Sequence, residues 1–341
     1  MAKRALVTGV LGQDGAYLAK LLLEKGYEVY GGERRSASLN TWRLEEMGIL
    51  RDVHQLPLDL LEITNLMRTI ETVRPDELYN LAAQSFVAAS FEQPILTAEI
   101  DAMGVARLLE LVRTIQPKCH FYQASTSEMF GQVRETPQTE QTPFHPRSPY
   151  AVSKAFAHYM TVNYREAFGL HASSGILFNH ESPLRGHEFV TRKITMGLAA
   201  IRLGRQEVVE LGNMDSQRDW GFAVDYVQGM WQMLQQPQAD DFVLATGVSH
   251  TVKAFVEVAA AAAGFNVAWE GSGEQLRAVD RKTSRTIVRV NPKYYRPAEV
   301  EILQGDASKA RARLGWKPVM TFEQLVVAMM EADLRRSQHA S

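Results

Sequence analysis

Three glycines follow the first apolar segment of the chain. Residues 4–8 have the composition of a short buried strand, the glycines stand at positions 9, 12 and 15, and residues 14–25 read as an amphipathic helix. Glycines between a strand and a helix let a pyrophosphate approach the backbone and the N–H groups at the helix N-terminus. The spacing G-x-x-G-x-x-G alone would also fit an ordinary tight turn. With this context we interpret it as a dinucleotide-binding turn, whose candidate contacts are Gly9, Gly12, Gln13, Asp14 and Gly15.

Strand-like runs alternate with helical stretches through the first half of the chain. The later strand-like runs lie at residues 28–31, 54–58, 77–81 and 120–124. This alternation predicts an α/β fold with a Rossmann-type, doubly wound parallel sheet. From Asn179 onward prolines and glycines divide the chain into shorter pieces, which indicates a smaller C-terminal substrate-binding lobe. We expect the first domain over residues 1–178 with a returning segment at about 218–246, the lobe over 179–217 and 247–335, and a tail over 336–341.

Composition excludes several classes of protein. Hydrophobic residues make up 45% of the 341 residues and charged residues 22%, which is ordinary for a globular protein. A formal net charge of -2 gives no general basic field, so we expect no nucleic-acid partner. Cys119 is the single cysteine, and the nine histidines are scattered, so we expect neither a disulfide nor a metal site. Without a signal peptide or a run of about 18 apolar residues, we expect a cytoplasmic protein with no membrane association.

Two cations follow the second predicted strand. Arg34, Arg35 and Ser36 stand where an acidic residue would hold the ribose hydroxyls of NAD. Arginines at this place favour a 2′-phosphate and therefore NADP. Glu33 could instead take the acidic role, and both arginines could be ordinary surface charges.

Two further strand ends lie at the edge of the sheet where ligands of such folds bind. We assign an adenine contact to the first and a wall of the nicotinamide ribose site to the second. Each segment alone would equally fit an ordinary strand-to-helix turn. The candidate residues are Asp59, Leu60, Leu81, Ala82, Ala83, Gln84 and Ser85.

Tyr150 and Lys154 stand four residues apart behind Pro149, a residue suited to the start of a helix. The spacing places both side chains on one helix face. An ammonium beside a phenol favours the phenolate and lowers the phenol pKa from its ordinary value of about 10. Y-x-x-x-K alone is a weak motif, but with an N-terminal dinucleotide turn it indicates a catalytic pair.

The fifth predicted strand runs into Thr126 and Glu128. A dehydrogenase needs a hydroxyl, a tyrosine and a lysine, whereas an added carboxylate supplies a second acid/base. Such a group can remove a carbon-bound proton and protonate a leaving hydroxyl. Glu128 could also be a capping or surface carboxylate.

These motifs resemble the extended short-chain dehydrogenases/reductases and, in detail, the GDP-mannose 4,6-dehydratase family. The resemblance runs nearly from end to end. The segments that carry it, besides the motifs above, are residues 163–167, 175–183, 189–194, 211–213, 218–221, 295–300 and 314–318.

The resemblance implies a lyase that converts GDP-mannose to GDP-4-dehydro-6-deoxy-mannose and water by internal hydride transfer through tightly bound NADP. It implies catalytic roles for Thr126, Glu128 and Tyr150, with Lys154 assisting Tyr150 and binding the cofactor. It also implies a homotetramer, because the loop at residues 35–43 resembles one that reaches a neighbouring subunit's cofactor. His180 and Arg185 would face the NADP, and the GDP-hexose pocket would be lined by Ser85, Glu128, Asn179, Lys193, Arg218, Arg296 and Glu299.

The chain departs from the family pattern at several positions, which include His187 and Glu188 in the loop after Leu184. Leu96 stands where a cofactor-contacting tyrosine is usual, and Leu184 where a second arginine is common. One neutral hydrogen bond to the cofactor would be worth only about 1 kcal/mol. The alternatives to a dehydratase are a sugar-nucleotide epimerase or 4-keto-sugar reductase of the same fold, neither of which needs Glu128, and a non-catalytic NADP-binding protein.

Overall fold

The computed structural model describes residues 2–38, 40–295 and 302–339. Within these residues, seven strands form one parallel sheet, and nine further strands form three smaller sheets. The strands in chain order are β1 (Arg4–Thr8), β2 (Glu28–Glu33), β3 (His54–Pro57), β4 (Glu77–Asn80), β5 (His120–Thr126), β6 (Ala172–Leu177), β7 (His180–Glu181), β8 (Val209–Leu211), β9 (Gln217–Asp219), β10 (Gly221–Phe222), β11 (Asp241–Leu244), β12 (Ser249–Thr251), β13 (Val267–Glu270), β14 (Arg277–Asp280), β15 (Arg285–Val290) and β16 (Ile302–Leu303).

Helices separate most of these strands. The α-helices are α1 (Gln13–Glu24), α2 (Trp42–Glu46), α3 (Ile63–Val73), α4 (Val87–Glu92), α5 (Pro94–Ala98), α6 (Gly104–Ile115), α7 (Pro149–Phe168), α8 (Val190–Arg202), α9 (Ala223–Leu234), α10 (Val252–Ala262), α11 (Ser308–Leu314) and α12 (Phe322–His339). A turn of π-helix, Glu99–Met103, joins α5 to α6. Among the described residues, no helix combines the length and apolar character needed to cross a membrane.

The large sheet has the strand order β11-β6-β5-β4-β1-β2-β3, and all its neighbouring strands are parallel. This confirms the predicted α/β fold. The order reverses between β1 and β4, and in such sheets the ligand crevice lies at the carboxyl ends of the strands beside this reversal. Buried apolar residues on both faces, among them Leu6, Val7 and Leu78, anchor the sheet.

Two predicted strands extend beyond their expected ends. β2 continues to Glu33 and β5 to Thr126, two residues further than predicted in each case. β2 continues because Gly32 and Glu33 still pair with β3. A Cβ at Gly31 would stand only 2.6 Å from the Val10 side chain, so glycine suits this position. Helix α1 ends close to its predicted limit, before Gly26, whose φ of 81° is left-handed.

The second half of the chain adds a separate apolar core. Helices α8, α10 and α12 pack on one another and on the four-stranded sheet β13-β14-β15-β8. The core contains Ile194, Leu198 and Phe255, all fully buried. β11 returns to the large sheet beside β6. We therefore propose the division into a Rossmann domain with a returning segment and a C-terminal lobe.

Candidate active site

The carboxyl ends of the central strands open onto one cleft of about 730 Å³. This volume lies within the range of small-molecule sites in proteins. The glycine turn borders one side, β5 and α7 border the middle, and parts of α8 and the Leu211–Asn213 segment border the far side. The cleft therefore joins the two predicted binding regions.

The glycine turn is built for close backbone approach. Gly9 has a φ of 70°, and a Cβ there would come within 2.9 Å of the backbone of Ala82. A Cβ at Gly15 would come within 2.6 Å of the Cα of Val10. Helix α1 begins at Gln13 with Gly12 as its N-cap, and no side-chain hydrogen bond caps this end among the described residues. Its first N–H groups are therefore available to an anion in the cleft.

Asp14 and His180 form a half-buried pair behind this turn. His180 Nε2 lies 2.7 Å from Asp14 Oδ2, and Nδ1 lies 2.7 Å from the carbonyl oxygen of Phe178. A carbonyl and an ionised carboxylate only accept, so with Asp14 ionised both ring nitrogens donate and the imidazole carries both protons. Burial alone would lower the pKa of His180 and raise that of Asp14, but their attraction reverses both shifts. His180 borders the cleft, and both of its ring nitrogens lie within hydrogen-bond distance of protein atoms.

The four predicted catalytic residues border the same cleft. Thr126 ends β5, and its Oγ1 accepts a hydrogen bond of 3.2 Å from the N–H of Glu128. Ser148 caps α7 by accepting from the N–H of Ala151 at 3.1 Å, and Pro149 occupies the first turn, so the predicted helix start is correct.

Tyr150 and Lys154 share the inward face of α7. The Nζ of Lys154 donates to the carbonyl oxygen of Ala124 at 2.9 Å and lies 5.8 Å from the centre of the Tyr150 ring. Both side chains are buried. The carbonyl of β5 therefore fixes the lysine that was predicted to assist the tyrosine.

The pKa of Tyr150 differs from the sequence-based expectation. Burial is the largest influence, and together with the charge of Asp101 it raises the pKa of the phenol above its ordinary value, although a hydrogen bond with Thr126 opposes the rise. Burial also lowers the pKa of Lys154, against the attraction of Asp101. The expected lowering of the Tyr150 pKa was therefore wrong, because burial of the phenol disfavours its charged form.

Only some of the predicted cofactor contacts border the cleft. Leu81, Ala83, Ser85 and Arg185 border the cleft with the glycine turn. Ala82 lies behind Gly9, and Gln84 donates its N–H to Asp101 at 2.7 Å. The remaining predicted contacts lie beyond the lining of the cleft, towards β2 and β3: Arg34, Arg35 and Ser36, which are exposed, with Asp59, which is half-buried, and Leu60, which is buried.

Three predicted substrate residues border the far side of the cleft: Asn179, Lys193 and Arg218. Asn179 Oδ1 is buried and has no hydrogen-bond partner among the described residues. Lys193 Nζ lies 3.5 Å from the centre of the Tyr294 ring. Arg296 and Glu299, which the resemblance also assigned to this pocket, lie outside the described residues.

Sequence reasoning missed Arg43 as a residue of this cleft. Its Nε donates to the carbonyl oxygen of Leu184 at 2.7 Å and its Nη1 to that of Leu11 at 3.0 Å. Arg43 thus joins the glycine turn to the loop after β7 within one chain. Leu184 is buried and contributes its carbonyl, while Leu96 lies on α5 with 36% of its surface exposed. The only available signal for Arg43 was its position at the end of the loop at residues 35–43, which resembles a loop of the family.

Sequence reasoning also missed Asp101. This carboxylate is 1% exposed and contacts the residues 81–85 segment through Gln84. In the sequence it resembles an ordinary polar position of a helix. No group of three or more His, Cys, Asp or Glu side chains among residues 2–38, 40–295 and 302–339 could hold a metal ion.

A parallel sheet with this strand order, a glycine turn opening its first helix and a Tyr-Lys pair at its carboxyl edge define the class of short-chain dehydrogenases/reductases. The family model described as GDP-mannose 4,6 dehydratase matches residues 6–329. The chain belongs to the GDP-mannose 4,6-dehydratase family.

Individual relatives agree with this membership. The chain is 52% identical to the GDP-mannose 4,6-dehydratase of Yersinia enterocolitica over 99% of its own length and 96% of that protein. It is 50% identical to the human GDP-mannose 4,6 dehydratase over 97% and 91% of the two chains. DesIV, a dTDP-glucose 4,6-dehydratase from Streptomyces venezuelae, is 21% identical over 99% and 98% of the two chains with a TM-score of 0.83, which shows the shared fold.

Proposed function

We propose that the protein is a hydro-lyase that converts GDP-mannose to GDP-4-dehydro-6-deoxy-mannose and water, with NADP as a resident hydride carrier. One observation carries the proposal. Thr126 and Glu128 from the end of β5 and the Tyr150-Lys154 pair of α7 border a single cleft, in a chain of this family. This set combines an alcohol-oxidising pair with an additional carboxylate.

The residues around the glycine turn fit NADP. The turn from Gly9 to Gly15 and the start of α1 suit the pyrophosphate, and Arg34 and Arg35 are exposed where a 2′-phosphate would be read. Glu33 is 9% exposed, and one of its carboxylate oxygens is buried with no partner among the described residues. Burial raises the pKa of Glu33. A carboxyl group turned inward in this way is poorly placed to accept ribose hydroxyls, which favours NADP over NAD.

The first half of the proposed cycle oxidises C4 of the hexose. NADP, when bound, supplies the acceptor for the C4 hydride and later returns that hydride to C6. Tyr150 as the phenolate takes the proton of the C4 hydroxyl, and Thr126 donates a hydrogen bond to the developing ketone oxygen. The ammonium of Lys154, held by the Ala124 carbonyl, stabilises the phenolate.

The second half expels water. The C4 ketone acidifies the hydrogen on C5, and the carboxylate of Glu128 removes it as a general base. Glu128 then protonates the C6 hydroxyl, which leaves as water. Return of the hydride to C6 would leave an enolate, and C5 would take the proton held by Tyr150, which regenerates the phenolate. The two proton transfers of Glu128 also balance, so Glu128 finishes the cycle as a carboxylate. An epimerase or a 4-keto-sugar reductase requires neither transfer, and 9% exposure of Glu128 at the cleft disfavours a surface role.

Product analysis tests the proposal. The purified protein is incubated separately with GDP-mannose and with UDP- and dTDP-hexoses, with no added reductant. We expect a 4-keto-6-deoxy product from GDP-mannose and no net consumption of NADP, because the hydride returns to C6. An epimerised hexose as the product, or NADP binding with no conversion of any hexose, would contradict the proposal.

We also propose a homo-oligomer, most simply a tetramer, in the cytoplasm. Val152, Phe156 and Tyr159 form an exposed stripe along α7, with 55%, 42% and 59% of their surfaces accessible. Ile95 and Met103 from the neighbouring α5 and π-turn are also exposed. An apolar stripe of this kind suits a helix-to-helix interface between copies. Light scattering at micromolar concentration should give a tetramer, and a monomeric mass would contradict this assignment.

A further inference from the structure

Asp101 lies in the π-helical turn Glu99–Met103, which packs against α7 beneath the catalytic pair. Its side chain is 1% exposed. One carboxylate oxygen accepts the N–H of Gln84 at 2.7 Å, and the other is buried with no hydrogen-bond partner among the described residues. Turns of π-helix occur frequently at functional sites, and a buried polar atom without a partner costs stability. The hydrogen bond from Gln84 therefore does not by itself explain why this carboxylate is buried.

Among the described residues, the cation whose charge acts on Asp101 is Lys154. Lys154 and Tyr150 face the turn from α7, and the charge of Lys154 acts on Asp101. Glu99 on the same turn is paired with Arg107 of α6 at 2.7 Å, so that arginine is already committed. Neither α5 nor the segment at residues 81–85 contains a titratable side chain. Lys154, whose Nζ donates to the Ala124 carbonyl, thus acts on Asp101 through its charge without a direct ion pair.

The two charges depend on each other. Burial raises the pKa of Asp101 to about 6, and the attraction of Lys154 limits the rise. Burial lowers the pKa of Lys154, and the attraction of Asp101 limits the fall. Without a negative neighbour, a buried ammonium loses its proton more readily.

We infer that Asp101 is a positioning residue for the catalytic pair: its buried carboxylate keeps the Lys154 ammonium charged and ties α7 to the cofactor wall through Gln84. The inference rests on the proposed function, because it assigns Asp101 to the Tyr150-Lys154 chemistry. Asp101 itself need not touch the substrate. Its unsatisfied oxygen is the stability cost of holding a negative charge beside a catalytic lysine.

Asp101→Asn tests this role because it keeps the shape and the acceptor for Gln84 and removes the charge. Loss of the charge lowers the pKa of Lys154 and, because Asp101 also raises the pKa of Tyr150, lowers that pKa as well. Both limbs of the pH profile of kcat/KM should therefore move to lower pH. We expect kcat at pH 8 to fall at least about tenfold, with KM for GDP-mannose within about threefold of the wild type.

Thermal unfolding without added ligand gives a readout that is independent of turnover. The folded-state pKa of Asp101 lies above its ordinary value, so the folded wild type binds an extra proton between about pH 4 and pH 6 and loses stability as the pH rises through this window. The Asp101→Asn variant has no carboxyl group at this position, so it does not lose stability in this pH window. Relative to the wild type, the variant should gain Tm between pH 4.5 and pH 8.

Asp280→Asn is the matched control. Asp280 is 2% exposed, but its carboxylate accepts from the N–H of Asn266 at 3.0 Å and from Thr283 at 2.8 Å. The first of these bonds is the main cause that lowers the pKa of Asp280, so its charge stabilises the fold at neutral pH. This variant should lose Tm at pH 8 and leave the pH profile unchanged.

The outcomes separate the inference from the function. If the wild type makes no 4-keto-6-deoxy product, the proposed function is wrong, and the relative Tm of Asp101→Asn still reports its charge. If the wild type turns over and the pH profile of Asp101→Asn superimposes on it, Asp101 is merely structural. A variant that fails to fold, or that loses Tm from pH 4.5 to pH 8 like the control, would also overturn the inference.

Discussion

Buried aspartates in two regions of the molecule differ in how completely their carboxylates are hydrogen-bonded. Asp219, at the end of β9, is fully buried and accepts hydrogen bonds from the Thr246 N–H at 2.8 Å, the Thr246 hydroxyl at 2.7 Å and the Gly247 N–H at 2.8 Å. Asp101, beneath the cleft, has one bonded and one unbonded oxygen. The Asp219 carboxylate holds neighbouring loops together, whereas the Asp101 carboxylate, on our inference, supplies a negative charge to Lys154.

The same contrast extends to whole regions. Asn179 Oδ1, which borders the cleft, and one carboxylate oxygen of Asp101 have no hydrogen-bond partner among the described residues. The region around Asp219 is closed, since backbone N–H groups from separate segments converge on a single carboxylate. Unsatisfied groups are expected where a ligand or a reaction completes them. Substitutions at the cleft should therefore change chemistry, and substitutions at Asp219 should change stability.

The largest effect is expected for Tyr150→Phe. Removal of the hydroxyl abolishes the base for C4 oxidation, and we expect turnover of GDP-mannose to fall by a factor of about 10² to 10⁴. The Tm should change by no more than a few degrees, since the buried ring remains. Stopped-flow absorbance for NADPH formation locates the block at the first oxidation. Normal transient NADPH formation in this variant would remove Tyr150 from its assigned role.

Asp219→Asn should have a smaller effect, on stability. The new amide places N–H donors against the N–H groups of Thr246 and Gly247, so we expect a loss of about 2 to 3 kcal/mol in the free energy of unfolding. Denaturant unfolding measures it, with the exposed Asp215→Asn as a control that should change little. The kcat of the folded fraction should fall far less than in Tyr150→Phe. Unchanged stability would end the proposed contrast between the two regions.

The smallest effect concerns cofactor choice at the exposed loop after β2. Replacing Arg34 and Arg35 together with alanine removes two charge-assisted partners of a 2′-phosphate and should weaken NADP binding by about 10- to 100-fold. NAD binding should change less than about threefold, because NAD lacks that phosphate. Calorimetric titration of both cofactors makes the measurement. Equal weakening of the two would refute the 2′-phosphate assignment.

Sequence reasoning reached the elements whose causes are local. The glycine turn, the start of α7 at Pro149 and the strand alternation depend on nearby residues, and each was predicted close to its observed limits. Pairings between distant residues were out of reach. His180 meets Asp14 across 166 positions of the chain, and nothing near either residue in the sequence indicates this contact.

Burial was the second quantity that the sequence could not supply. Asp101 reads as an ordinary polar helix position, and only its 1% exposure marks it as unusual. The expectation for the pKa of Tyr150 was wrong for the same reason, because the motif shows Lys154 but not the burial of the phenol. The spacing of residues predicts which groups meet, whereas their pKa values depend on how completely water is excluded.

Solvent deuterium at C5 tests the central claim most directly. Wild type and Glu128→Gln are incubated with GDP-mannose in heavy water, and the recovered sugar nucleotides are analysed by mass spectrometry and NMR. The wild type should yield a 4-keto-6-deoxy product carrying one deuterium at C5, because the original C5 proton leaves with the C6 hydroxyl as water and C5 is reprotonated from an exchangeable hydroxyl. Glu128→Gln should bind GDP-mannose with nearly normal affinity and form neither the 6-deoxy product nor C5-deuterated substrate. Dehydration at a near-normal rate by Glu128→Gln would show that Glu128 is structural and that the proposed elimination is wrong.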